Sequence, residues 1–535
     1  MKAVKPQNLY LCVHGHFYQP PREDPATGKI PEEPSAAPFH DWNERILNEC
    51  YKPNTEADII NKKGKIIVEI NNFEYINFNF GPTLLNWMKD KYPGIFDKIV
   101  QADKKSIKKH GGHGNAIAQV YNHIIMPLAN RRDKITQVKW GVVNFKHHFG
   151  RDPESIWLAE TAVNKATVEV LIEEGIKYII LDPSQALKMR KIGTNKWQDV
   201  SFSNVNPKIP YRCFLYPGFS QYKREESITN TSKFPYIDIF FYDGPISKAI
   251  AFDDISYDSY KFMNRIELAT EKENSDDQLI SIAVDGETFG HHKKFADRTL
   301  AYLLYVLTKK KGYKVVNFGE YLELHPPQYE VVLKEGKNTE GTSWSCAHGV
   351  DRWKTDCGCT VGSMPGWNQL WREPLRNALN LLRDKLSVFY ELCGEQYLKD
   401  VWKARDEYIK IILNNSKESV DEYFYFNAER FLSKEETELC LKLLEMQKFA
   451  MFMFTSCGWF FSDVTGLEAK KIIEYARQAI FIVKEIARKF NLTFISREEV
   501  IKLTEGIEED FLEELSKAKS NMPEILNGKD IYLEL

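Results

Sequence analysis

Two acidic residues follow apolar segments with the composition of buried strands. Glu160 ends the segment SIWLAE at residues 155–160, and Asp285 lies in LISIAVDGE at residues 279–287. In barrels and open α/β sheets, chemistry collects at the carboxyl ends of the strands. Glycosyl transfer requires two carboxyl groups beside one bond, and in a retaining enzyme these are about 5–5.5 Å apart. The pattern favours a catalytic pair, although either residue alone could equally be a helix cap.

Other predicted strands also end in polar residues. His14 and His16 end the first one, and because they are two residues apart, their side chains lie on the same side of a regular strand. We predict that this side faces the mouth of the site and that both imidazoles bind substrate, with a buried pair as the alternative. Asp182 precedes Pro183 and Ser184, a context typical of a helix cap.

A cysteine-rich segment lies further along the chain. Three thiols and one imidazole could complete a tetrahedral zinc site, and they belong to Cys346, His348, Cys357 and Cys359. Their spacing is not the usual one of paired Cys-x-x-Cys motifs. Trp344 and Trp353 are interleaved with them and suit stacking on sugar rings. We therefore predict a reduced, substrate-binding loop without metal, and keep zinc as the weaker alternative.

Short apolar segments alternate with helical ones over residues 1–325, which indicates a parallel sheet or a barrel. Several are continuously apolar, as strands covered on both faces are. Helical spacing marks residues 167–176 and 298–312. The predicted strands are LYLCVHG (9–15), KIIVEIN (65–71), SIWLAE (155–160), YIILD (178–182), YRCFLYP (211–217), IDIFFYD (237–243), LISIAVDGE (279–287) and YKVVNF (313–318).

The composition changes after residue 325, and we predict three regions. Residues 1–325 form the catalytic α/β domain. Turn-forming residues dominate 326–366, which predicts an irregular loop region over the mouth of the site. Residues 367–535 form a mainly helical domain that contributes to the cleft. Apolar residues recur there at helical spacing in segments 371–394, 395–402, 435–456 and 466–490.

The bulk composition excludes several classes of protein. With 535 residues, 43% of them hydrophobic, the chain can bury a large core, and a net charge of −3 gives no sign of nucleic-acid binding. No stretch reaches about 18 apolar residues, so we expect no membrane span. The apolar run Leu9–Val13 is too short for a secretion signal, which predicts a cytoplasmic protein with reduced thiols. No cofactor is expected, and nothing indicates an oligomeric state.

Four segments occur in a fixed order along the α/β region: HGHFYQPP (14–21), FNFGPTLLNWM (78–88), SIWLAETA (155–162) and AVDGETFGHH (283–292). Together they resemble the motifs of glycoside hydrolase family 57, over roughly the first 325 residues. The resemblance implies an incomplete seven-stranded (β/α) barrel followed by a mainly helical C-terminal domain. It also implies a retaining mechanism and hydrolysis, branching or disproportionation of α-linked glucans, with a polysaccharide or oligosaccharide as substrate.

The resemblance implies a role for each carboxylate of the two later motifs. Glu160 is the nucleophile, Asp285 is the general acid/base, and Glu287 is a supporting carboxylate. The chain departs from the family pattern at Ala159, where proline is usual. This departure and the cysteine-rich segment mean that the chemistry carries over better than the substrate does.

The resemblance also implies which residues bind the sugar. His14 and His16 border the subsite beside the nucleophile, and His291 is a candidate contact to sugar hydroxyls. In this family the helical region after the barrel contributes a tryptophan or an aspartate to the cleft, which points to Trp459 and Asp463 here.

Two other functions stay open. A metal-dependent hydrolase on a similar barrel, α-mannosidase-like or deacetylase-like, needs about three converging protein ligands, and these would come from His14, His16, Asp285 and His291. A non-catalytic glycan-binding protein is the other alternative, and it would keep its function without Glu160.

Overall fold

The computed structural model describes residues 8–61, 63–216, 233–271, 276–490, 492 and 496–535. The chain divides into two compact units, neither of which is continuous in sequence. The α/β unit comprises Met1–Pro21, Pro31–Gln119 and Phe145–Glu335. The helical unit comprises Arg22–Ile30, Val120–Asn144 and Gly336–Leu535.

The strands of the described ranges all belong to the α/β unit. They are β1 (Leu9–Phe17), β2 (Ala57–Ile60), β3 (Ile66–Ile70), β4 (Asn77–Phe80), β5 (Ala118–Gln119), β6 (Ile156–Trp157), β7 (Tyr178–Leu181), β8 (Ala186–Lys191), β9 (Gln198–Asp199), β10 (Tyr211–Phe214), β11 (Tyr236–Phe241), β12 (Gln278–Asp285), β13 (Tyr313–Val315) and β14 (Tyr329–Leu333).

A run of parallel strands carries the candidate site. β1 pairs in parallel with β12 on one side, and with β13 and then β4 on the other. Parallel single bridges, Phe78 to Ala116 and Ser155 to Tyr178, continue the run beyond β4. The strands β5 and β6 form a parallel pair, as do β7 and β11. The carboxyl ends of these strands therefore point the same way, as strand-end chemistry requires.

A mixed sheet has the order β7-β11-β10-β14-β8-β9. In it, β10 is antiparallel to β11, and β8 is antiparallel to both β14 and β9. Two predictions need correction here. The region 326–366 is not wholly irregular, because its β-branched segment Tyr329–Leu333 pairs with β8 as β14. The segment KIIVEIN is a strand, but it forms an antiparallel hairpin with β2, and its Ile66 and Ile67 side chains are exposed. The last residue of the predicted strand 211–217 lies outside the described residues.

The helices of the described ranges vary from one turn to six. They are α1 (Trp42–Ile46), α2 (Lys52–Thr55), α3 (Pro82–Lys91), α4 (Pro93–Lys109), α5 (Arg131–Phe149), α6 (Lys165–Glu173), α7 (Gly244–Phe252), α8 (Ser259–Ala269), α9 (Ala296–Tyr302), α10 (Thr308–Lys311), α11 (Phe318–Leu324), α12 (Arg372–Gly394), α13 (Val401–Glu407), α14 (Ile409–Leu413), α15 (Lys417–Asn427), α16 (Lys434–Phe452), α17 (Leu467–Lys489), α18 (Arg497–Leu515) and α19 (Gly528–Glu534). None of them combines the length and apolar composition that crossing a bilayer requires.

Burial along β12 shows how the α/β core presents the site. Every residue from Gln278 to Val284 is buried, and only the last residue of the strand, Asp285, is exposed. The neighbouring β1 is buried from Tyr10 to Phe17. A rigid apolar strand thus ends in a single accessible carboxylate.

The helical unit is a set of long helices with apolar facing surfaces. α16 packs on α17, and α12 packs on α16 and α18, so three of the predicted helical segments are confirmed. The predicted helix 395–402 is wrong. Residues 395–397 form a turn, and Asp400 caps α13 by accepting the backbone N–H groups of Trp402 and Lys403.

Candidate active site

Glu160 lies on a strained turn directly after β6. Its φ is 58° and that of the next residue, Thr161, is 50°, in the left-handed region that costs non-glycine residues about 1–3 kcal/mol each. Two hydrogen bonds between Thr161 and the buried Gln185 hold the turn. Thr161 Oγ1 donates to Gln185 Oε1, and Gln185 Nε2 donates to the Thr161 carbonyl oxygen, both at 2.9 Å. The strain is therefore maintained by a dedicated side chain, as is common at active sites.

Gln185 is itself anchored at the end of β7. Its Oε1 accepts the backbone N–H of Asp182 at 2.9 Å, and the Asp182 carboxylate accepts the N–H of Ser184 at 2.8 Å. The predicted capping role of Asp182 is confirmed. Tyr242, which follows β11, donates its hydroxyl to the same carboxylate. The Glu160 turn is thus connected to the ends of two neighbouring strands.

Asp285 ends β12 in register with His16 of β1. Asp285 is exposed to solvent, yet protein atoms surround its carboxyl group on most sides, as they do at the bottom of a recess. This burial raises its pKa from the usual range to about 7, and the charge of Glu160 is the second cause. Glu160 and Asp285 are therefore near enough to influence each other's ionisation.

Glu287 lies just beyond Asp285 and is buried. Its Oε1 accepts the hydroxyl of Tyr51 at 2.7 Å and the backbone N–H of Tyr18 at 2.9 Å. Burial, and then the charge of Asp285, raise the pKa of Glu287 to about 8, although the two hydrogen bonds act in the opposite direction. Near neutral pH this side chain is a carboxylic acid, so it adds no second negative charge beside Asp285.

His14 and His16 lie on the same side of β1, as predicted, and both rings stack on Trp157. His14 is completely buried. Its ring nitrogens lie 2.7 Å from Asn77 Oδ1 and 3.1 Å from Asn79 Oδ1, and burial lowers its pKa to about 4. Full burial with both nitrogens occupied favours a supporting role for His14 over the predicted contact with substrate, whereas His16 is level with Asp285.

Comparison with known proteins bears on this arrangement. The sequence profile of glycosyl hydrolase family 57 matches residues 18–334, which is more than half of the chain. The chain belongs to glycosyl hydrolase family 57. A second profile, a domain of unknown function (DUF3536), matches residues 367–535, the region predicted as the helical domain.

Relatives within family 57 are distant. Alpha-amylase 1 of Dictyoglomus thermophilum is 25% identical over 187 residues, which is 34% of this chain and 25% of that protein. The 4-alpha-glucanotransferase of Thermococcus litoralis is 24% identical over 107 residues, 20% of this chain and 15% of that protein. The chain thus spans a quarter or less of the curated relatives it matches here. An exo-type maltose-forming amylase of Pyrococcus sp. ST04 shares the fold, with a TM-score of 0.66 at 14% identity over 98% of this chain and 90% of that one.

His291 has a hydrogen-bond partner within the α/β unit. Its Nδ1 bonds to a carboxylate oxygen of Glu49, and its ring meets Trp42 edge-on, with centroids 6.0 Å apart. These contacts hold the imidazole against the α1 region and favour a structural role over the predicted contact with sugar.

The predicted sugar-binding residues of the helical unit have mixed placements. Trp344 is half-buried, whereas Trp353 and Trp459 are completely buried. The guanidinium of Arg376 covers the Trp459 ring at 3.8 Å from its centroid, so this ring offers no face for stacking on a sugar.

Asp463 is occupied by its own unit. Its carboxylate accepts the N–H of Asn521 at 2.6 Å, the amide of the same side chain at 2.8 Å and the hydroxyl of Ser520 at 2.9 Å. It also accepts the N–H of Thr465. Because four donors already occupy its carboxylate oxygens, Asp463 is better suited to holding residues 520–521 in place than to the predicted contact with substrate.

Sequence reasoning missed four residues of the site: Asn79, Trp157, Gln185 and Tyr242. Trp157 and Asn79 fall inside motif-like segments, so proximity to the motifs was an available signal. Gln185 and Tyr242 follow strands that end beside the site, but glutamine and tyrosine carry no strong local signal of function. Only their partners, Thr161 and Asp182, reveal what they do.

Proposed function

We propose that this chain is a retaining glycoside hydrolase or glucanotransferase that acts on α-linked glucans, with Glu160 as nucleophile and Asp285 as general acid/base. We also infer that its parallel strands form the incomplete seven-stranded barrel of the family. The observation that carries the proposal is the pKa of Asp285, raised to about 7 by burial and by the charge of Glu160. One protonated and one ionised carboxyl group near neutral pH are what the mechanism requires.

In the first step, ionised Glu160 attacks the anomeric carbon while Asp285 gives its proton to the departing glycosidic oxygen. A covalent glycosyl ester on Glu160 results. Asp285, now a carboxylate, then takes a proton from the acceptor hydroxyl as it displaces Glu160. Water as acceptor gives hydrolysis, and a glucan hydroxyl gives transfer. The names of the relatives, amylases and a 4-alpha-glucanotransferase, support α-glucans as the substrate class.

The two alternatives explain less of the geometry. A metal-dependent hydrolase would take His14 and His291 as ligands, but His14 has both nitrogens beside asparagine oxygens and His291 Nδ1 bonds to Glu49. A non-catalytic glycan-binding protein has no need of a strained turn at Glu160, which costs stability. Neither alternative accounts for a strand-end aspartate whose pKa is raised by burial and by the charge of Glu160.

The test replaces the proposed nucleophile. Glu160→Ala should lower turnover of maltooligosaccharides by at least about 10⁴-fold, and azide should restore part of it by forming a glycosyl azide of inverted anomeric configuration. Asp152→Asn is the matched control, because this carboxylate precedes β6 in the chain, is 74% exposed and pairs with Lys146. Normal rates in Glu160→Ala would refute the assignment.

Product analysis separates the two reaction types. Incubation with maltooligosaccharides and with glycogen should give either new reducing ends, which mark hydrolysis, or a redistribution of chain lengths at constant reducing ends, which marks transfer. Binding of these glucans without any change in them would favour the glycan-binding alternative.

A further inference from the structure

The cysteine-rich loop of the helical unit gathers four metal-binding atoms in one place. The sulfurs of Cys346, Cys357 and Cys359 and a ring nitrogen of His348 all lie within 4.8 Å of one another. Cys346 Sγ is 3.9 Å from Cys357 Sγ, and Cys359 Sγ is 3.6 Å from His348 Nδ1. Among the described residues, no other group of three or more histidine, cysteine or acidic side chains has this arrangement.

The 3.9 Å and 3.6 Å separations match two edges of a tetrahedron around zinc. With Zn–S bonds of about 2.3 Å and Zn–N bonds of about 2.05 Å, a regular tetrahedron has S–S edges of about 3.8 Å and S–N edges of about 3.6 Å. The sulfurs of Cys346 and Cys357 are much too far apart for a disulfide, which needs about 2.05 Å, and all three thiols are free. Three sulfurs and one imidazole nitrogen thus have the number, the type and the spacing of a structural zinc site.

Backbone N–H groups point at two of the sulfurs of the cluster. The N–H groups of His348 and Arg352 are directed at the sulfur of Cys346, and the N–H of Cys359 is directed at the sulfur of Cys357. Hydrogen bonds of this kind stabilise the charged form of an acid. The chain turns beside each pair of ligands at Gly349 and Gly358, whose φ values are 83° and 80°. A side chain with a Cβ would be strained at either position.

A buried cation balances the charge of such a centre. Zinc with three thiolates and a neutral imidazole carries one net negative charge. The guanidinium of Arg372, at the start of α12, is buried and interacts electrostatically with Cys357 and Cys359. Its Nη1 also donates to the Cys359 carbonyl oxygen at 2.8 Å. The same arginine thus connects the loop to the helical bundle and offsets the charge.

We propose that Cys346, His348, Cys357 and Cys359 bind one structural zinc ion, which holds the loop between residues 346 and 359 against the start of α12. Four protein ligands leave no open coordination position, so the ion takes no part in catalysis. The loop has little regular structure of its own, since only a single 3-10 turn, Asp351–Trp353, lies between the two ligand pairs. The ion supplies the crosslink that hydrogen-bonded secondary structure supplies elsewhere.

The first test measures metal in the full-length protein purified without added zinc. Elemental analysis should find about one zinc per chain, and Cys357→Ser should reduce this by at least about tenfold. Cys213→Ser is the matched control, because it removes a thiol of β10 outside the cluster. The wild type should also lose at least about 5 °C of Tm after its zinc has been removed.

A second measurement covers the case in which Cys357→Ser does not fold. Wild-type protein reconstituted with Co²⁺ should show the visible bands of tetrahedral cobalt and thiolate charge-transfer bands of the strength expected for three sulfurs. Zinc-free protein as purified, iron in place of zinc, or a disulfide joining Cys346 to Cys357 would each overturn the proposal.

The zinc proposal is independent of the proposed function. Glu160→Ala should retain a full complement of zinc while it loses turnover. A protein with zinc but without activity on glucans therefore contradicts only the catalytic assignment, and an active protein that never holds zinc contradicts only the metal site.

Discussion

The strand ends of the α/β unit and the cysteine-rich loop of the helical unit both concentrate ionisable side chains, but in different surroundings. At the strand ends, burial disfavours the ionised form, and the pKa values of Asp285 and Glu287 rise to about 7 and about 8. In the loop, three thiols and one imidazole face one another within 4.8 Å, and backbone N–H groups are directed at two of the sulfurs.

This difference separates a site that moves a proton from a site that holds an ion. A carboxyl group with a pKa near 7 exchanges its proton readily near neutral pH, as a general acid and base must. Thiolates that face one another and N–H donors can instead be saturated by a single cation. The environment of each side chain, together with its type, decides between the two uses.

After the loss of Glu160 itself, the largest effect should follow from removing the mobile proton of Asp285. Asp285→Asn leaves the shape of the strand end unchanged but supplies no acid, so kcat should fall by about 10² to 10⁴-fold. Aryl glycosides whose leaving group needs no proton should lose far less in the glycosylation step. Asp152→Asn, an exposed carboxylate substitution, should leave both substrates unaffected. An equal loss on both substrates would mean that Asp285 is not the acid.

Much of the scaffold was predictable from local pattern. Each of the eight predicted strands overlaps an observed one, because apolar runs bounded by turn formers carry a strong local signal. Pairing is not encoded locally, so the hairpin at β3 and the role of β14 were not foreseen. β5 has only two residues, too few to show any period.

The residues of the candidate site also divide into those with a local sequence signal and those without one. Glu160, Asp285 and Asp182 were found because each ends an apolar run. Gln185 was not, because its role lies in two bonds to Thr161, 24 residues away. The cysteine cluster was interpreted as a loop without metal for a related reason. Its ligands pair across 11 residues of irregular loop, a spacing that motif rules do not recognise.

Glu287 tests the claim that burial acts against charge at the strand ends. Because its folded pKa is raised to about 8, the unfolded chain ionises first, above about pH 4.3. Stability is therefore lost as pH rises from about 4.3 to about 8, and is constant beyond that range. Glu287→Gln removes this loss and should stabilise the protein by up to about 5 kcal/mol at pH 9, but not at pH 4.

The measurement is Tm across this pH range, with Glu69→Gln as control because Glu69 is exposed on β3. The control should change Tm little at either pH. An equal Tm shift at pH 4 and pH 9 in Glu287→Gln would show that ionisation is not the cause.

Gln185 tests whether the strain at Glu160 serves catalysis. Gln185→Ala removes both side-chain bonds to Thr161, so the nucleophile should lose its fixed position. We expect kcat to fall about 10- to 100-fold with KM nearly unchanged, because misplacement of a reacting group chiefly affects the transition state. Thr161→Ser keeps the hydroxyl and should retain most of the rate. A rise in KM alone would indicate a role in binding.

The smallest effect concerns the coupling between the two carboxyl groups. Asp285 must be protonated to act as acid, so activity should be present below its pKa of about 7 and fall as pH rises through that value. The charge of Glu160 is only the second cause of this shift, after burial. In Glu160→Ala rescued by azide, the alkaline limb of the pH profile should therefore move to lower pH, but stop above the usual range for aspartate. A limb that stays at its wild-type pH would show that Glu160 does not influence Asp285, and the two carboxyl groups would then not form a catalytic pair.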